Sequence, residues 1–493
     1  MIDRRRLLLT AAATAAVAPS LAQAQTAATD ADGRLNSLLD GWFEADIEEN
    51  PEGATNLGLD RGARAGLSSK LSEAGPDAIR KDRRKATDRW SQLSGFDQAG
   101  LSPAGALNYA IAAFGTETAA QTARFDYGAG PGRPSPYIVT QLSGAYFSTP
   151  DFLDNQHRIE DAAGADAFLS RLEAFSGVLE GETAKVQEDA GLGVIPPDFI
   201  IDRMLPQIRT LRDTPAADMA MLKSLARKTG GLNLTGYDAR AAAIVDQTIK
   251  PALSAQIAAL DPLLPRVFGR LPRSHVEIRR VPPSIQSGAP GGYYQGPPLD
   301  GSRPGAYYIN LRDSGNWPKF ALPTLTYHEA SPGHHLQVAL QRESGELPQW
   351  RRAGGFSAYN EGWALYAEAV AANDLNAYAD NPLGRVGFLM SYLFRAVRLV
   401  VDTGLHSERW SREQAVDYMA ASGAKPLDAS NSEINRYTVW PGQACSYKVG
   451  HTVIARLRAD AEARPGFDLR AFHDRVLMNG SLPLAVLEAQ MRG

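Results

Sequence analysis

Cysteine is nearly absent from this chain of 493 residues, in which Cys445 is the only one. A single thiol excludes a disulfide within the chain, so the fold must draw its stability from a packed core. With 44% hydrophobic residues, the chain has ample material for one. After the first 24 residues, no apolar run reaches the roughly 18 residues that a membrane-spanning helix needs. We therefore expect no membrane contact once those first residues are removed.

An excess of positive charge is also missing. The 51 lysines and arginines are outnumbered by 55 acidic residues, which gives a formal net charge of −4. No basic stripe is visible along the chain, so we do not expect a nucleic-acid partner.

The first 24 residues have the pattern of an export signal. Arg4, Arg5 and Arg6 precede an apolar, alanine-rich run, and residues 22–24 form a small-residue cleavage pattern. Paired arginines favour the twin-arginine route, and a general secretory signal is the alternative. Either route predicts a periplasmic protein, and removal of three arginines and one aspartate moves the formal charge from −4 to −6.

Histidine is scarce, yet three of the eight histidines lie in one run of eleven residues, Tyr327–Gln337. In the common zinc motif HExxH, two imidazoles one helical turn apart bind one ion and the glutamate activates a water. Here the residue four places after His328 is Pro332, which cannot be a ligand. The next imidazoles follow six and seven places on, about 9 Å along an unbroken helix and about 120° around it. The helix must therefore be interrupted between the histidines.

Ser331, Pro332 and Gly333 are suited to such an interruption, because proline lacks a donor and glycine accepts unusual dihedral angles. If the two extra residues loop out as a bulge, His334 takes the place of the second ligand. We prefer His334, and spacing alone leaves His335 as the alternate ligand. Glu329 is then the candidate general base.

A third ligand is expected from the segment Asn360–Glu368. Glu361 stands near the start of a helical pattern that follows two glycines. A carboxylate from a second helix would complete the His₂Glu set of catalytic zinc. Glu368 lies seven residues later on the same face and could hold a ligand imidazole from behind.

These motifs resemble a known family. HExxPGHH followed by NEGWALYxE is similar to the hallmark of DUF885, bacterial proteins regarded as metal-dependent peptidases, and NEGWA resembles the NEGFA element of zinc aminopeptidases. The resemblance covers most of the exported chain and is densest from Gly291 to Gly450. It implies a thermolysin-related catalytic half with His328, one histidine of the GHH triplet and Glu361 on a single Zn²⁺, and Glu329 as the base.

The resemblance extends to two later segments. On a long amphipathic helix it includes Arg398, Asp402 and His406, which either shape the pocket beside the ligands or form a buried salt bridge. The pattern PGQAxSYKxG adds Gln443, Tyr447 and Lys448 as substrate or site residues. Because hydrolysis needs a donor for the developing oxyanion, Tyr447 and Tyr437 are the candidates for that role.

The periodicity predicts a mostly α-helical protein with a small β-sheet, of the α+β class. We divide the chain into a signal peptide (1–24), a helical half walling a cleft (25–265) and a metal-binding half (266–493). Val276–Arg279 and Ala306–Leu311 read as strands, and the residues between Gly288 and Pro298 read as a loop. If Ala306–Asn310 is an edge strand, Tyr307, Tyr308 and Asn310 would contact an extended substrate. The alternative is an interior strand.

Together these features predict a periplasmic zinc-dependent hydrolase that cleaves short peptides. Two alternatives remain: a zinc amidase or esterase acting on a small metabolite, and an inactive binding protein that has inherited the site. The presence of all three candidate ligands and the base favours an enzyme, whereas the broken HExxH spacing favours a relic.

Overall fold

The computed structural model describes residues 29–131, 135–213, 219–228, 269–282, 286, 289–311 and 318–492. These residues are mostly helical, with one small sheet, as the periodicity predicts. The signal peptide and the predicted domain boundary at 265/266 lie outside the described residues. Among the described residues, no helix has the length and apolarity needed to cross a bilayer.

Helices make up the described part of the chain before the sheet. Side-chain caps mark several of their starts: Thr29 forms a capping box with Asp32, and Ser102 accepts a hydrogen bond from the backbone N–H of Gly105. The helices are α1 (Asp30–Glu49), α2 (Pro51–Leu57), α3 (Pro76–Ser94), α4 (Pro103–Thr122), α5 (Ala145–Asn155), α6 (Ala162–Gly191), α7 (Asp198–Asp213) and α8 (Ala220–Lys228), with a 3₁₀ helix at Gly62–Ser69.

The sheet has three strands, β1 (Val276–Arg280), β2 (Gly292–Gln295) and β3 (Gly305–Ile309), in the order β1-β3-β2. β1 runs parallel to β3, with Ile278 opposite Tyr307, and β2 runs antiparallel to it on the other side. The interior-strand alternative is therefore confirmed for β3, and the edge-strand prediction is wrong. β2 was not predicted from the sequence, because its four residues lie between glycine and proline residues that indicate a loop.

The helices after the sheet carry the candidate site. They are α9 (Leu322–Glu329), α10 (His334–Glu343), α11 (Gln349–Ala353), α12 (Ser357–Ala369), α13 (Pro382–His406), α14 (Arg412–Ala421), α15 (Leu427–Val439), α16 (Gln443–Glu462), α17 (Leu469–Leu477) and α18 (Leu484–Arg492). A short 3₁₀ turn at Lys319–Ala321 leads into α9, and a π-helical turn at Val370–Asp374 follows α12.

The largest core cluster lies around α12. Trp363, Tyr359 and Leu336 in this cluster are fully buried, and the aromatic rings of α12 pack against α10, α16 and α17. Burial of such large side chains contributes about 1.5–3 kcal/mol each. α12 is therefore a rigid support for the side chains that it presents on its other face.

Two glycines allow α12 and α16 to cross at close range. A Cβ atom on Gly362 would lie 2.5 Å from the Cα of Gly450, and a Cβ on Gly450 would lie 1.7 Å from the carbonyl oxygen of Ala358. No larger residue fits at either position without separating the helices. The glycines of the two sequence motifs thus bring Glu361 on α12 close to the first turns of α16.

Candidate metal centre

The helix interruption predicted between the histidines is present. α9 ends at Glu329 and α10 begins at His334. Gly333 lies so close to the end of α9 that a Cβ atom there would stand 2.0 Å from the carbonyl oxygen of His328. Glycine at this position therefore lets α10 start directly against the last turn of α9, which is the bulge that the sequence predicts.

Trp363 is hydrogen-bonded to the backbone of this interruption. Its indole Nε1 donates a hydrogen bond of 3.0 Å to the carbonyl oxygen of Pro332, and its side chain is fully buried. The tryptophan of the NEGWA motif therefore ties α12 to the connection between α9 and α10. Glu361, two residues earlier, projects from the second turn of α12, since the helix begins at Ser357.

The three predicted ligands lie together. Nε2 of His334 is 3.3 Å from Oε2 of Glu361, and Nε2 of His328 is 3.6 Å from the same oxygen. The ligand atoms of these residues all lie within 4.8 Å of one another. The two imidazole rings are nearly perpendicular, at 86°, with centroids 4.9 Å apart. Three helices, α9, α10 and α12, thus bring two imidazole nitrogens and one carboxylate together at a single point.

Glu368 holds His328 from behind, as predicted. Nδ1 of His328 donates to Oε1 of Glu368 at 2.8 Å, and the Glu368 side chain is fully buried. This bond leaves Nε2 facing Glu361. Burial opposes the charged form of His328, but the carboxylates of Glu361 and Glu368 raise its pKa to about 10. The two carboxylates thus favour a positive charge at this point.

Glu361 has the complementary electrostatics. Burial alone would raise its pKa, but the adjacent His328 and His334 hold the pKa well below its usual range. The carboxylate is therefore ionised and available as a ligand.

His335 faces away from this cluster, which corrects its assignment as the alternate ligand. Its Nδ1 accepts from the Tyr294 hydroxyl at 2.9 Å, and its Nε2 donates to the carbonyl oxygen of Ser274 at 2.9 Å. Both ring nitrogens are occupied, and burial lowers the pKa of His335 to about 4. One residue step along α10 rotates the side chain by about 100°, which is why neighbours in the sequence serve different purposes.

Glu329, the candidate base, is nearly buried at 5% exposure. No hydrogen bond to its carboxylate is found among the described residues. Burial raises its pKa, and the neighbouring imidazoles of His328 and His334 partly offset that rise. The carboxylate is thus held next to the candidate ligands without being committed to another partner.

Tyr447 and Gln443 on α16 reach the cluster. The Tyr447 ring stacks near that of His328, with centroids 5.9 Å apart and planes 19° apart. Nε2 of Gln443 lies 3.3 Å from Oε1 of Glu361 and 3.5 Å from the Tyr447 hydroxyl. Both residues therefore lie at the centre, as the resemblance implies.

Tyr437 is not placed to serve as an oxyanion donor, and that prediction is corrected. Its ring is 1% exposed in a separate apolar cluster, and its hydroxyl donates to Glu433 at 2.9 Å. Burial, reinforced by the negative charge of Glu433, raises the pKa of Tyr437 well above its usual range.

Asp402 and His406 hold backbone rather than ligands. Asp402 accepts from the backbone N–H of Gly442 at 3.0 Å, just before α16, and exposed His406 bonds to the carbonyl oxygen of Tyr437 at 3.0 Å. Asp402 and His406 are thus bonded to backbone groups of Gly442 and Tyr437 and not to an imidazole ligand, so their assignment behind the ligands is wrong. Arg398, by contrast, does reach the site, since it donates to Oε1 of Gln443 at 3.1 Å.

Four predicted substrate contacts are placed elsewhere. Lys448 lies with its ammonium 4.3 Å from the centre of the Tyr392 ring. Tyr307 and Tyr308 are buried on opposite faces of the interior strand β3, in two different apolar clusters. Asn310 donates to the carbonyl oxygens of Gln286 and Ala289. Because β3 has a neighbour on both sides, it has no free edge, and Tyr307, Tyr308 and Asn310 support the sheet instead of contacting an extended peptide.

The donor set fits zinc. Two imidazole nitrogens and one carboxylate oxygen are the ligand types of the His₂Glu catalytic site, which leaves a position open. The carboxylate of Glu368 behind one imidazole matches the support that such ligands usually have. Within the described residues, the grouping His328, His334 and Glu361 defines this protein as a helical protein with a candidate metal centre.

Comparison with known families agrees with the motif resemblance. Residues 51–261 and 252–491 match the family model described as "Bacterial protein of unknown function (DUF885)". These two matches cover most of the chain, and the protein therefore belongs to the DUF885 family. No curated protein matches the chain.

Two solved structures share the fold. One is a crystal structure described as a "putative lipoprotein" from Colwellia psychrerythraea, with 28% identity and a TM-score of 0.84 over 94% of this chain and 98% of that one. The other, described as a "putative lipoprotein of unknown function" from Shewanella oneidensis, is 17% identical, with a TM-score of 0.55 over 94% of this chain and 100% of that one. The second likeness concerns the fold alone.

Sequence reasoning missed one charged residue beside the centre. Arg395 on α13 places its guanidinium carbon 4.5 Å from the centre of the Tyr447 ring. Its spacing of three residues from Arg398 puts both on one helix face, and this is the signal that would have found it.

Proposed function

We propose that this protein is a zinc-dependent hydrolase that cleaves amide bonds in short peptides. The single observation that supports this most is the convergence of His328, His334 and Glu361 within 4.8 Å, with the uncommitted carboxylate of Glu329 next to them. The order of parts, a His-Glu helix followed by a helix that carries the third ligand, is that of thermolysin-type enzymes, and we include this relationship in the proposal.

Each residue of the centre has a separate role in the proposed reaction. His328, His334 and Glu361 would hold the ion, and Glu368 keeps His328 in the tautomer that presents Nε2. When bound, zinc supplies a Lewis acid that makes water more acidic and polarises a carbonyl group. Gln443 donates to the oxygen of Glu361 that the two imidazoles do not face, and so orients this carboxylate.

Glu329 takes the proton from the attacking water and delivers it to the leaving amine. A base that must also act as an acid works best with a pKa close to the working pH, and burial shifts the pKa of Glu329 in that direction. Tyr447 lies against His328 with its hydroxyl 3.5 Å from the Gln443 amide, so it is the donor for the oxygen that becomes negative.

The location proposed is the periplasm, reached by the twin-arginine route. The proposal rests on the arginine-containing leader at residues 1–24 and on the description of the structure from Colwellia psychrerythraea as a putative lipoprotein. Fractionation of a bacterium that carries the tagged chain, with and without Arg4 and Arg5 replaced by lysine, tests the route.

The Glu329→Gln variant tests the function. It should bind zinc in a 1:1 ratio, because Glu329 is not a ligand, and should lose about 10²- to 10⁴-fold in turnover, the usual contribution of a general base. Glu182→Gln is a matched control, since Glu182 is a largely buried carboxylate bonded to the backbone of Ala145, far along the chain. Undiminished hydrolysis by Glu329→Gln would refute the assignment of Glu329 as the general base. Purified protein without stoichiometric zinc would favour the alternative of an inactive binding protein. A panel of peptides and acylated amines separates a peptidase from an amidase.

A further inference from the structure

Two cations close to the candidate centre, Arg395 and Lys425, lie against aromatic rings. The guanidinium of Arg395 lies 4.9 Å from the centre of the Phe394 ring and 4.5 Å from that of Tyr447. The ammonium of Lys425 lies 4.6 Å from the centre of the same Phe394 ring. Among the described residues, neither side chain makes an ion pair or a hydrogen bond, and Nε of Arg395 is enclosed without an acceptor.

The neighbouring cations differ from these two. Arg398 donates to Oε1 of Gln443 at 3.1 Å, and Arg436 reaches the same oxygen at 3.3 Å. Arg436 also lies 3.8 Å from the carboxylate of Glu433. Nε of Arg398 and Nε of Arg436 are also enclosed without an acceptor, but a terminal nitrogen of each of these arginines is engaged within the protein, whereas no hydrogen bond from Arg395 is found among the described residues.

The local charge is positive. Arg398, Lys425 and Arg436 lie around one largely buried carboxylate, Glu433, which also accepts a hydrogen bond from the Tyr437 hydroxyl. Although burial opposes it, these three cations hold the pKa of Glu433 at about 2. Arg395 adds a fourth positive charge, close to Lys425. A guanidinium cannot lose its proton, so an excess of partly buried positive charge is costly until an anion joins it. Contact with aromatic rings offsets only part of this cost and accepts none of the N–H groups.

Part of this positive charge adjoins the candidate centre. Tyr447, whose ring Arg395 contacts, also stacks near the ring of His328. An anion bound by Arg395 would therefore lie close to the candidate ligands and to Glu329, the residue that follows His328.

We infer that Arg395, assisted by Lys425, binds a carboxylate of the substrate, so that preferred substrates carry a free carboxylate close to the scissile amide. The planar fork of a guanidinium matches a carboxylate in two parallel hydrogen bonds, and the ammonium adds a second contact. Short peptides cleaved near their free C-terminus, and N-acyl amino acids, have this feature. The inference rests on the proposed function for the reaction, but the binding of the carboxylate is independent of turnover.

The test compares matched ligands that differ in one group. Peptides with a free C-terminal carboxylate are assayed against the same peptides with a C-terminal amide, using the zinc-loaded wild type, Arg395→Gln and Lys425→Gln. We expect the wild type to prefer the free acid, and Arg395→Gln to lose about 10- to 100-fold in kcat/KM for the acid, with less than about a threefold change for the amide. Lys425→Gln should lose about threefold to 10-fold, again for the acid alone.

Arg385→Gln is the matched control. Arg385 lies on α13 as well, is exposed, and bonds to the carbonyl oxygen of Ala372 and to Asn373 at 3.3 Å each. This variant should leave both substrates unaffected. Thermal unfolding of each variant shows whether a loss comes from the fold instead.

A binding measurement separates this inference from the proposed function. Calorimetry with zinc-loaded Glu329→Gln compares the free acid and the amide, with and without Arg395→Gln. Selective weakening of the acid supports the inference even if no peptide is hydrolysed, an outcome that would refute the proposed function alone. Equal binding of acid and amide, or an equal loss of both in Arg395→Gln, would overturn the assignment of the carboxylate site while leaving hydrolysis intact.

Discussion

The two adjacent histidines of α10 should respond in opposite ways to substitution. His334 faces Glu361 at 3.3 Å and is 14% exposed, whereas His335 is 3% exposed and bonds through both nitrogens. Each residue is therefore the control for the other. They have the same side chain and differ by one step along the same helix, but the structure assigns metal binding to the first and support of the fold to the second.

The magnitudes follow from the contacts. A zinc site that binds with about 10–16 kcal/mol draws about 3 kcal/mol from each ligand, so His334→Ala should weaken zinc binding by about 100- to 1000-fold. Its unfolding free energy without metal should change by less than about 1 kcal/mol. His335→Ala leaves the Tyr294 hydroxyl and the Ser274 carbonyl oxygen without partners, which should cost about 2–4 kcal/mol of stability, and should change zinc affinity less than about threefold.

Competition with a coloured zinc chelator measures the affinity, and urea unfolding in the presence of a chelator measures the stability of each variant. Loss of zinc binding in His335→Ala with retention in His334→Ala would refute the assignment. Equal loss in both would show that the bulge, and not the individual imidazole, determines binding.

Three further predictions follow from neighbouring contacts. Glu368→Gln should weaken zinc binding by about 10- to 100-fold in the same competition assay, because His328 loses the carboxylate that orients its ring. Gly450→Ala should lower thermal stability and turnover together, because the new methyl group meets the carbonyl oxygen of Ala358 and separates α12 from α16. Burial lowers the pKa of His157 to about 4, below its usual 6.5, so its contribution to stability is present above pH 6.5 and is lost as the pH falls toward 4. His157→Asn should reduce the acid loss measured by urea unfolding by up to about 3 kcal/mol.

Each of these has a plain contrary outcome. Unchanged zinc affinity in Glu368→Gln would mean that Glu368 does not support the ligand. Wild-type melting of Gly450→Ala would mean that the helices do not need the close crossing. Identical pH dependence in His157→Asn would mean that folding does not lower the pKa of His157.

The periodic and local features of the sequence were sufficient to predict the helical class and two of the three strands. Apolar spacing predicted a mostly helical chain, and alternation predicted β1 and β3, because a repeating pattern reflects which face of an element is buried. The Ser-Pro-Gly run predicted the interruption between α9 and α10. The four residues of β2 escaped notice, since so short a strand has no period of its own and exists by pairing with β3.

The assignment of the candidate ligands divides in the same way. Residue types and spacing were enough to select His328 and Glu361 as candidate ligands and Glu329 as the candidate base. These side chains have the chemistry that a catalytic zinc site needs. Whether His334 or His335 faces Glu361 depended on which of the two imidazoles the close contact at Gly333 turns toward α12. Tyr437, Asp402 and His406 were misassigned because their partners come from other elements, which spacing along one helix cannot reveal.

The sequence by itself determined that this chain is a helical member of the DUF885 family and that it has the side chains for one His₂Glu centre. Only the tertiary structure decided which imidazoles meet, that β3 is an interior strand, and that Arg395 lies against the Tyr447 ring at the centre while Lys425 lies against Phe394. The physical reason is that composition and period record how each segment hides its apolar face, whereas a site is made by polar groups from segments far apart in the chain.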